Sequence, residues 1–381
     1  MHATAADRQT AQGFSLARIA GIDIRLDYSW FIILALLIWS LSAGYFPAYL
    51  PGESGWTYLA AGTLAALLFF ASLLAHELAH SLVAMRAGIR ISSITLFVFG
   101  GMARLSEDVA DPKTEIRVAI AGPIASFLLA AGFWLLRGFS AGAGFAPGAA
   151  IFGYLAWINV VLAAFNLFPG FPLDGGRVLR AVLWWRTGDV VRATKWASDM
   201  GKGFAAALMI LGVFEFALGN FLGGLWLLFI GMFLQNMAAQ GYLQILLRRS
   251  LEGVRVEEVM IREPVTVPPQ ASLEEVAEEY FLHHGFRGFP VADDGRVLGV
   301  ISIQQVIQVP REERSRRRAV DAMVPLSERM VIEPGAPLLD AVPRMNEAEA
   351  GRLIVIRNGT MEGMITKTGL VRFLELKQLL T

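Results

Sequence analysis

The chain has 381 residues, 55% of them hydrophobic and only 17% charged, against about 25% charged for an average soluble chain. Its 33 basic residues balance 33 acidic ones, which argues against nucleic acid as a partner. The absence of cysteine excludes disulfides and thiolate metal sites, so a bound metal must take nitrogen and oxygen ligands.

Residues 1–27 are mixed and polar, with no apolar stretch of signal-peptide type. Six apolar runs follow, each approaching the ~20 residues needed to span hydrocarbon. They are Tyr28–Phe46, Thr57–Ala87, Val118–Leu136, Ala149–Phe168, Phe204–Leu218 and Phe221–Ile245. The fifth is short, and the second is long enough for its SLVAMRAGI tail to leave the bilayer. Between the fourth and fifth, Val178–Trp185 carries Arg180 and reads as an interfacial helix ending near Arg186. From Arg248 onward short strands alternate with charged helices. The expected fold is a polytopic α-helical membrane protein of about six transmembrane helices, followed by a soluble α/β domain. The domains are expected at 1–247 and 248–381.

Lysine and arginine mark every second connection. The N-terminal arm has Arg8, Arg18 and Arg25; the loop after the second run has Arg86, Arg90, Arg104, Lys113 and Arg117. The connection after the fourth has Arg177, Arg180, Arg186, Arg192, Lys195 and Lys202, whereas the intervening loops hold only Arg137. Positive charge is retained on the cytoplasmic side, so both termini and the C-terminal domain are expected in the cytosol, on a multi-pass protein of the cell membrane.

The second run contains LLAHELAHSL, residues 73–82. An acid at the centre of a membrane helix costs about 2.5–3.5 kcal/mol on insertion scales. His76 and His80, four apart, stack on one helical face and can chelate one ion. Glu77 beside them can take a proton from an attacking water. A catalytic zinc takes three protein ligands and keeps one position open. The remaining histidine of the apolar half, His2, lies near the terminus, so the third ligand should be a carboxylate. Asp174 fits, following the fourth run beside Gly175 and Gly176; Glu107, Asp108 and Asp111 are rivals in a more solvated loop. Asn159 and Asn166 share a face of the fourth run, the first read as an interhelical hydrogen bond. Glu215 is read as a solvated residue at a helix end.

HELAH, together with Asn166, Pro169, Pro172 and the Leu173-Asp174-Gly175 triplet, resembles the site-2 protease family of intramembrane zinc metalloproteases. Gly100–Gly101 and AGPIAS at Ala121–Ser126 are similar to that family too. The resemblance covers about residues 15–245. It implies one Zn2+ per chain on His76, His80 and Asp174, with Glu77 as general base. It implies Asn166 as the residue that holds substrate or oxyanion, and a transmembrane protein as substrate within the lipid bilayer. It also implies a small membrane-associated β element. Ile91–Gly101, rich in β-formers, could offer that element's edge strand to an unwound substrate.

The C-terminal region holds two similar units, opening at Met260 and Met323 and each ending in G-[VM]-I-[ST]. They resemble a tandem pair of cystathionine-β-synthase (CBS) domains, at about 254–310 and 319–381. Nucleotide-binding units of that kind commonly place an aspartate three residues after the Ser/Thr, where it accepts from both ribose hydroxyls. Here those positions are Gln305 and Gly369. Weak or absent adenine-nucleotide binding is therefore expected, and the pair is read mainly as a homodimer contact or a lid. His283 and His284 read as surface residues. The rival reading is a CBS-regulated transporter or channel without proteolytic activity, but a pore has no use for a general base between two chelating histidines.

Overall fold

Ile22, Ile24 and Leu26 alternate with Asp23, Arg25 and Asp27, and the three apolar side chains are buried. This period of two makes a half-buried strand of a segment that its charge marks as a polar arm. The structure, a computed structural model, describes residues 13–105, 109, 111–347 and 351–380; Arg8, His2, Glu107 and Asp108 lie outside them. Strand β1 (Gly13–Ile19) turns through Ala20 and Gly21, both at positive φ, into β2 (Ile22–Asp27). Strands β3 (Ile91–Phe97) and β4 (Gly100–Leu105) complete a sheet of order β1-β2-β3-β4. Because β3 pairs in parallel with β2 and antiparallel with β4, Ile91–Phe97 is not an edge. The free edge beside it is β4.

Among the described residues six helices are long and apolar enough to cross a membrane: α1 (Tyr28–Tyr49), α2 (Gly55–Arg86), α3 (Pro112–Gly142), α4 (Ala146–Asn166), α6 (Val190–Ala217) and α7 (Phe221–Leu251). Between α4 and α6 runs α5 (Asp174–Thr187), closed by Gly188 in the left-handed region. Several helices outrun the apolar stretches that announce them. α3 begins at Pro112, where the Asp111 carboxylate accepts from Thr114 N at 2.9 Å and proline occupies the first turn. α6 begins at Val190, fourteen residues before Phe204, because its charged first half buries a small-residue face at Ala193, Ala197 and Gly201. Elsewhere large apolar side chains point outward, among them Leu128, Phe139 and Ile210. Such a surface suits lipid, not water. One face of the sheet packs Ile22, Ile24 and Ile94 with Phe70 and Leu73 of α2, within two turns of His76.

The chain divides into two compact units between Ile245 and Leu246. In the second, β6 (Gly288–Asp293), β7 (Arg296–Ser302) and β8 (Val324–Pro325) form one sheet, after the short β5 (Ile261–Arg262). A second sheet has the order β5-β11-β10-β9, with β9 (Val331–Ile332), β10 (Arg352–Arg357) and β11 (Thr360–Thr366). Each half is built on a tight hairpin, through Asp294-Gly295 and Asn358-Gly359, with all four residues at positive φ. The halves exchange their leading strands. β5, following Met260, pairs with β11, and β8, following Met323, pairs with β7. Neither sheet is complete without the other half.

Candidate metal centre

His76 and His80 lie one turn apart on α2 and are nearly inaccessible, at 2% and 7% exposure. Their Nε2 atoms are 3.2 Å apart, and Asp174 Oδ2 sits 3.2 Å from the first and 3.1 Å from the second. Asp174 is the first residue of α5, and the loop before it folds back tightly. Gly175 abuts the Leu167 carbonyl and Gly176 the Gly170–Phe171 backbone, where any Cβ would overlap.

The imidazoles are oriented from behind by α3. His80 Nδ1–H donates to the Val118 carbonyl at 2.6 Å, and His76 Nδ1 bonds to the Ser126 hydroxyl at 2.9 Å. With its proton committed to Val118, the neutral His80 ring presents a bare lone pair at Nε2, and His76 does the same when it donates to Ser126. Two lone pairs and a carboxylate oxygen then converge within 3.2 Å. Left to themselves they repel; a cation among them reverses the sign. The spacing fits zinc, since bonds of about 2.0–2.2 Å place neighbouring ligand atoms about 3.3 Å apart in a tetrahedron. Gly122 completes the cradle, because a Cβ there would overlap the Nε2 atoms of both histidines.

The cluster opens into a cavity of about 440 Å³ lined by Glu77, Gly101, Asn166, Arg177, Trp226 and Phe233 among others. Glu77 meets β4 there, and Gly101 is the residue that allows it, as a Cβ at 101 would overlap the Glu77 side chain. Asn166 ends α4, lines the cavity and donates one amide proton to Leu162 O at 3.0 Å. The Asn159 amide nitrogen donates to Leu155 O of its own helix at 2.8 Å, and its Oδ1 is buried without a partner among the described residues. Glu215 accepts from Asn220 across the turn after α6, and His283 and His284 are exposed. Asp111 is occupied as the cap of α3 and is not in the cluster.

The sequence model of peptidase family M50 matches residues 64–150 and 144–210, and that of the CBS domain matches 256–312 and 321–376. The zinc metalloprotease candidate Rip3 of Mycobacterium tuberculosis strain H37Rv is 37% identical over 367 residues, 96% of this chain and 93% of its own. The chain belongs to peptidase family M50. The zinc metalloprotease MJ0392 of Methanocaldococcus jannaschii is 29% identical to this M50 peptidase, over 95% of this chain and 97% of its own. A solved site-2 protease of the same organism shares 27% identity, with a TM-score of 0.44 over 60% of this chain and 95% of that one.

Reading the M50 peptidase by sequence misses the supports of its cluster. Val118, Gly122 and Ser126 come from a helix some 40–50 residues beyond the histidines, and a backbone carbonyl leaves no mark in a motif. AGPIAS carries two of the three in plain view, but nothing local tells what its glycine and serine face.

Proposed function

We propose that this M50 peptidase is an intramembrane zinc metalloendopeptidase holding one zinc ion per chain on His76, His80 and Asp174. It cleaves a membrane-protein substrate within or near a transmembrane segment. The carrying observation is the convergence of two histidine Nε2 atoms and one carboxylate oxygen within 3.2 Å, backed by Val118 and Ser126. Zinc supplies Lewis acidity, which activates water and polarises the scissile carbonyl when bound. Glu77 takes the proton of the attacking water and delivers it to the leaving amine. The second amide proton of Asn166 faces the developing oxyanion, a role worth about 2.7–4 kcal/mol for a single donor elsewhere. The free edge of β4, beside Glu77, is positioned to extend an unwound substrate by backbone pairing.

Residues 1–247 form the protease domain and 248–381 the CBS pair. The alternation of basic loops supports an orientation with both termini and the CBS pair in the cytosol. The CBS pair serves as a regulatory module and homodimer contact, with little or no adenine nucleotide bound.

The test compares the membrane proteins of cells making wild type with those making Glu77→Gln. A transmembrane protein should accumulate uncut in the variant and co-purify with it. Glu77→Gln should retain zinc, whereas His76→Ala should lose both zinc and cleavage, and a chelator should stop the wild-type enzyme. Cleavage by Glu77→Gln at the wild-type rate would overturn the assignment.

A further inference from the structure

We propose that the ion pair between Glu115 of α3 and Arg180 of α5 is a clamp that sets the Asp174 carboxylate against the two imidazoles. Glu115 and Arg180 are then positioning residues of the metal centre, an inference that rests on reading His76, His80 and Asp174 as its ligands.

Glu115 lies in the first turn of α3 with 0% exposure. At 100° per residue, Glu115, Val118, Gly122 and Ser126 fall on one face of that helix. Three of the four already hold the histidines: Val118 takes His80, Ser126 takes His76, and Gly122 leaves room for both rings. The fourth takes α5. Arg180 Nε donates to Glu115 Oε1 at 2.7 Å, and Nη2 reaches the same oxygen. One face of α3 therefore registers all three ligands, two directly and the third through Arg180.

The connection from Arg180 to Asp174 is rigid. Both belong to α5, six residues apart, or about 9 Å at 1.5 Å per residue. The Arg180 guanidinium also lies over the Phe171 ring, 5.0 Å from its centroid, in the loop that leads into Asp174. One side chain thus touches the helix that follows the ligand, the loop that precedes it and the backplate of the histidines.

Stability is a poor account of the pair. Glu115 Oε2 is buried without a hydrogen-bond partner among the described residues, so the carboxylate is only half satisfied. A buried pair in that condition tends to be neutral or worse against a packed apolar pair. What the charges add is direction. Two guanidinium nitrogens on one oxygen fix the rotation of α5, and that rotation aims Asp174.

The test uses the full chain purified in detergent, with zinc and cobalt affinities measured by competition against a chromophoric chelator. Glu115→Gln, Arg180→Met and the double variant are compared with wild type and with Asp174→Ala. Each single change should weaken zinc about ten- to hundredfold, the range typical of lost supports around metal ligands. The double variant carries neither buried charge, so it should stay folded, and it should bind no more weakly than the weaker single, because the two act as one unit. The visible bands of bound Co2+ should shift in all three. Wild-type zinc affinity in the double variant, while Asp174→Ala loses it, would overturn the clamp and leave the ligand assignment standing. Unfolding of the double variant would also overturn it, as the pair would then be structural. Wild-type affinity in Asp174→Ala would overturn the ligand assignment itself.

Discussion

The carbonyl oxygen of Phe171 occupies the space where a side chain at Gly201 would begin. Next to it, Phe171 N–H donates to the Ala197 carbonyl at 2.9 Å, so the loop that delivers Asp174 is seated backbone to backbone on α6. Gly170 meets the same stretch, its own Cβ position overlapping nothing softer than the Met200–Gly201 backbone. The charged first half of α6 therefore serves the candidate metal centre although, among the described residues, it contributes no side chain to the cavity.

Gly201→Ala should lift that loop. Backbone cannot rotate away as a side chain can, so the loop or α6 must shift, and overpacking of this kind costs about 1–3 kcal/mol. A displacement near 1 Å at a catalytic group can lower the rate about a hundredfold. Cleavage of a transmembrane substrate in detergent should fall by at least tenfold while helix content by circular dichroism stays unchanged. A near wild-type rate would show that the seat is not needed.

Gly122→Ala should act differently, on the metal and not on the loop. The added methyl falls on the Nε2 atoms of His76 and His80, the two atoms proposed to face the ion. Zinc content after dialysis against a weak chelator should drop as in His76→Ala, although every proposed ligand is still present. Full zinc occupancy in Gly122→Ala would mean that the ligand atoms lie elsewhere.

These two glycines mark where the sequence stops being legible. His76 and His80 can be read together because a helix converts a spacing of four into a shared face; the need for a carboxylate in a cysteine-free chain short of histidines leaves Asp174 among rivals, and the resemblance of its Leu173-Asp174-Gly175 triplet is what singles it out. Gly122 and Gly201 cannot be read that way, since their role is the absence of an atom beside a partner far along the chain. The sheet shows the same limit. Ile91–Phe97 is visibly a strand, but its pairing with β2 depends on six residues, Ile22–Asp27, whose outward Asp and Arg disguise them as a polar arm. Once β2 is seen, the free edge moves to β4 and thereby to Glu77. The first half of α6 is hidden likewise, its Arg192, Lys195 and Asp199 concealing the buried Ala193, Ala197 and Gly201.

Orientation has a direct test, because the chain has no cysteine of its own. Glu53→Cys and Ala143→Cys, at exposed positions between α1 and α2 and between α3 and α4, should react with an impermeant thiol reagent added to intact cells. Arg192→Cys suits the opposite side, since the Arg192 side chain is 82% exposed whereas its neighbour Ala193 is buried. It should label only after the membrane is permeabilised. Labelling of Arg192→Cys in intact cells would invert the topology and put the CBS pair outside.

The CBS pair should bind adenine nucleotide weakly or not at all. The position expected to carry a ribose-binding aspartate holds Gln305 in the first unit, and its Oε1 accepts from Ser302 N at 2.8 Å and from the Ser302 hydroxyl. The one acceptor that glutamine could offer is thus turned back to cap the helix Ile303–Gln308. In the second unit the position is Gly369, without a side chain, and the neighbouring Thr366 hydroxyl is engaged by Gly369 N–H at 3.0 Å. A hydrogen bond to a charged group contributes about 1.5–3 kcal/mol, so losing the carboxylate should cost about ten- to a hundredfold in affinity, at 1.4 kcal/mol per tenfold. Calorimetric titration of ATP and of AMP into the detergent-purified chain should give no saturable heat in the low-micromolar range. A low-micromolar dissociation constant for either would mean that Thr366, Thr368 and backbone groups replace the missing aspartate, and that the pair senses nucleotide.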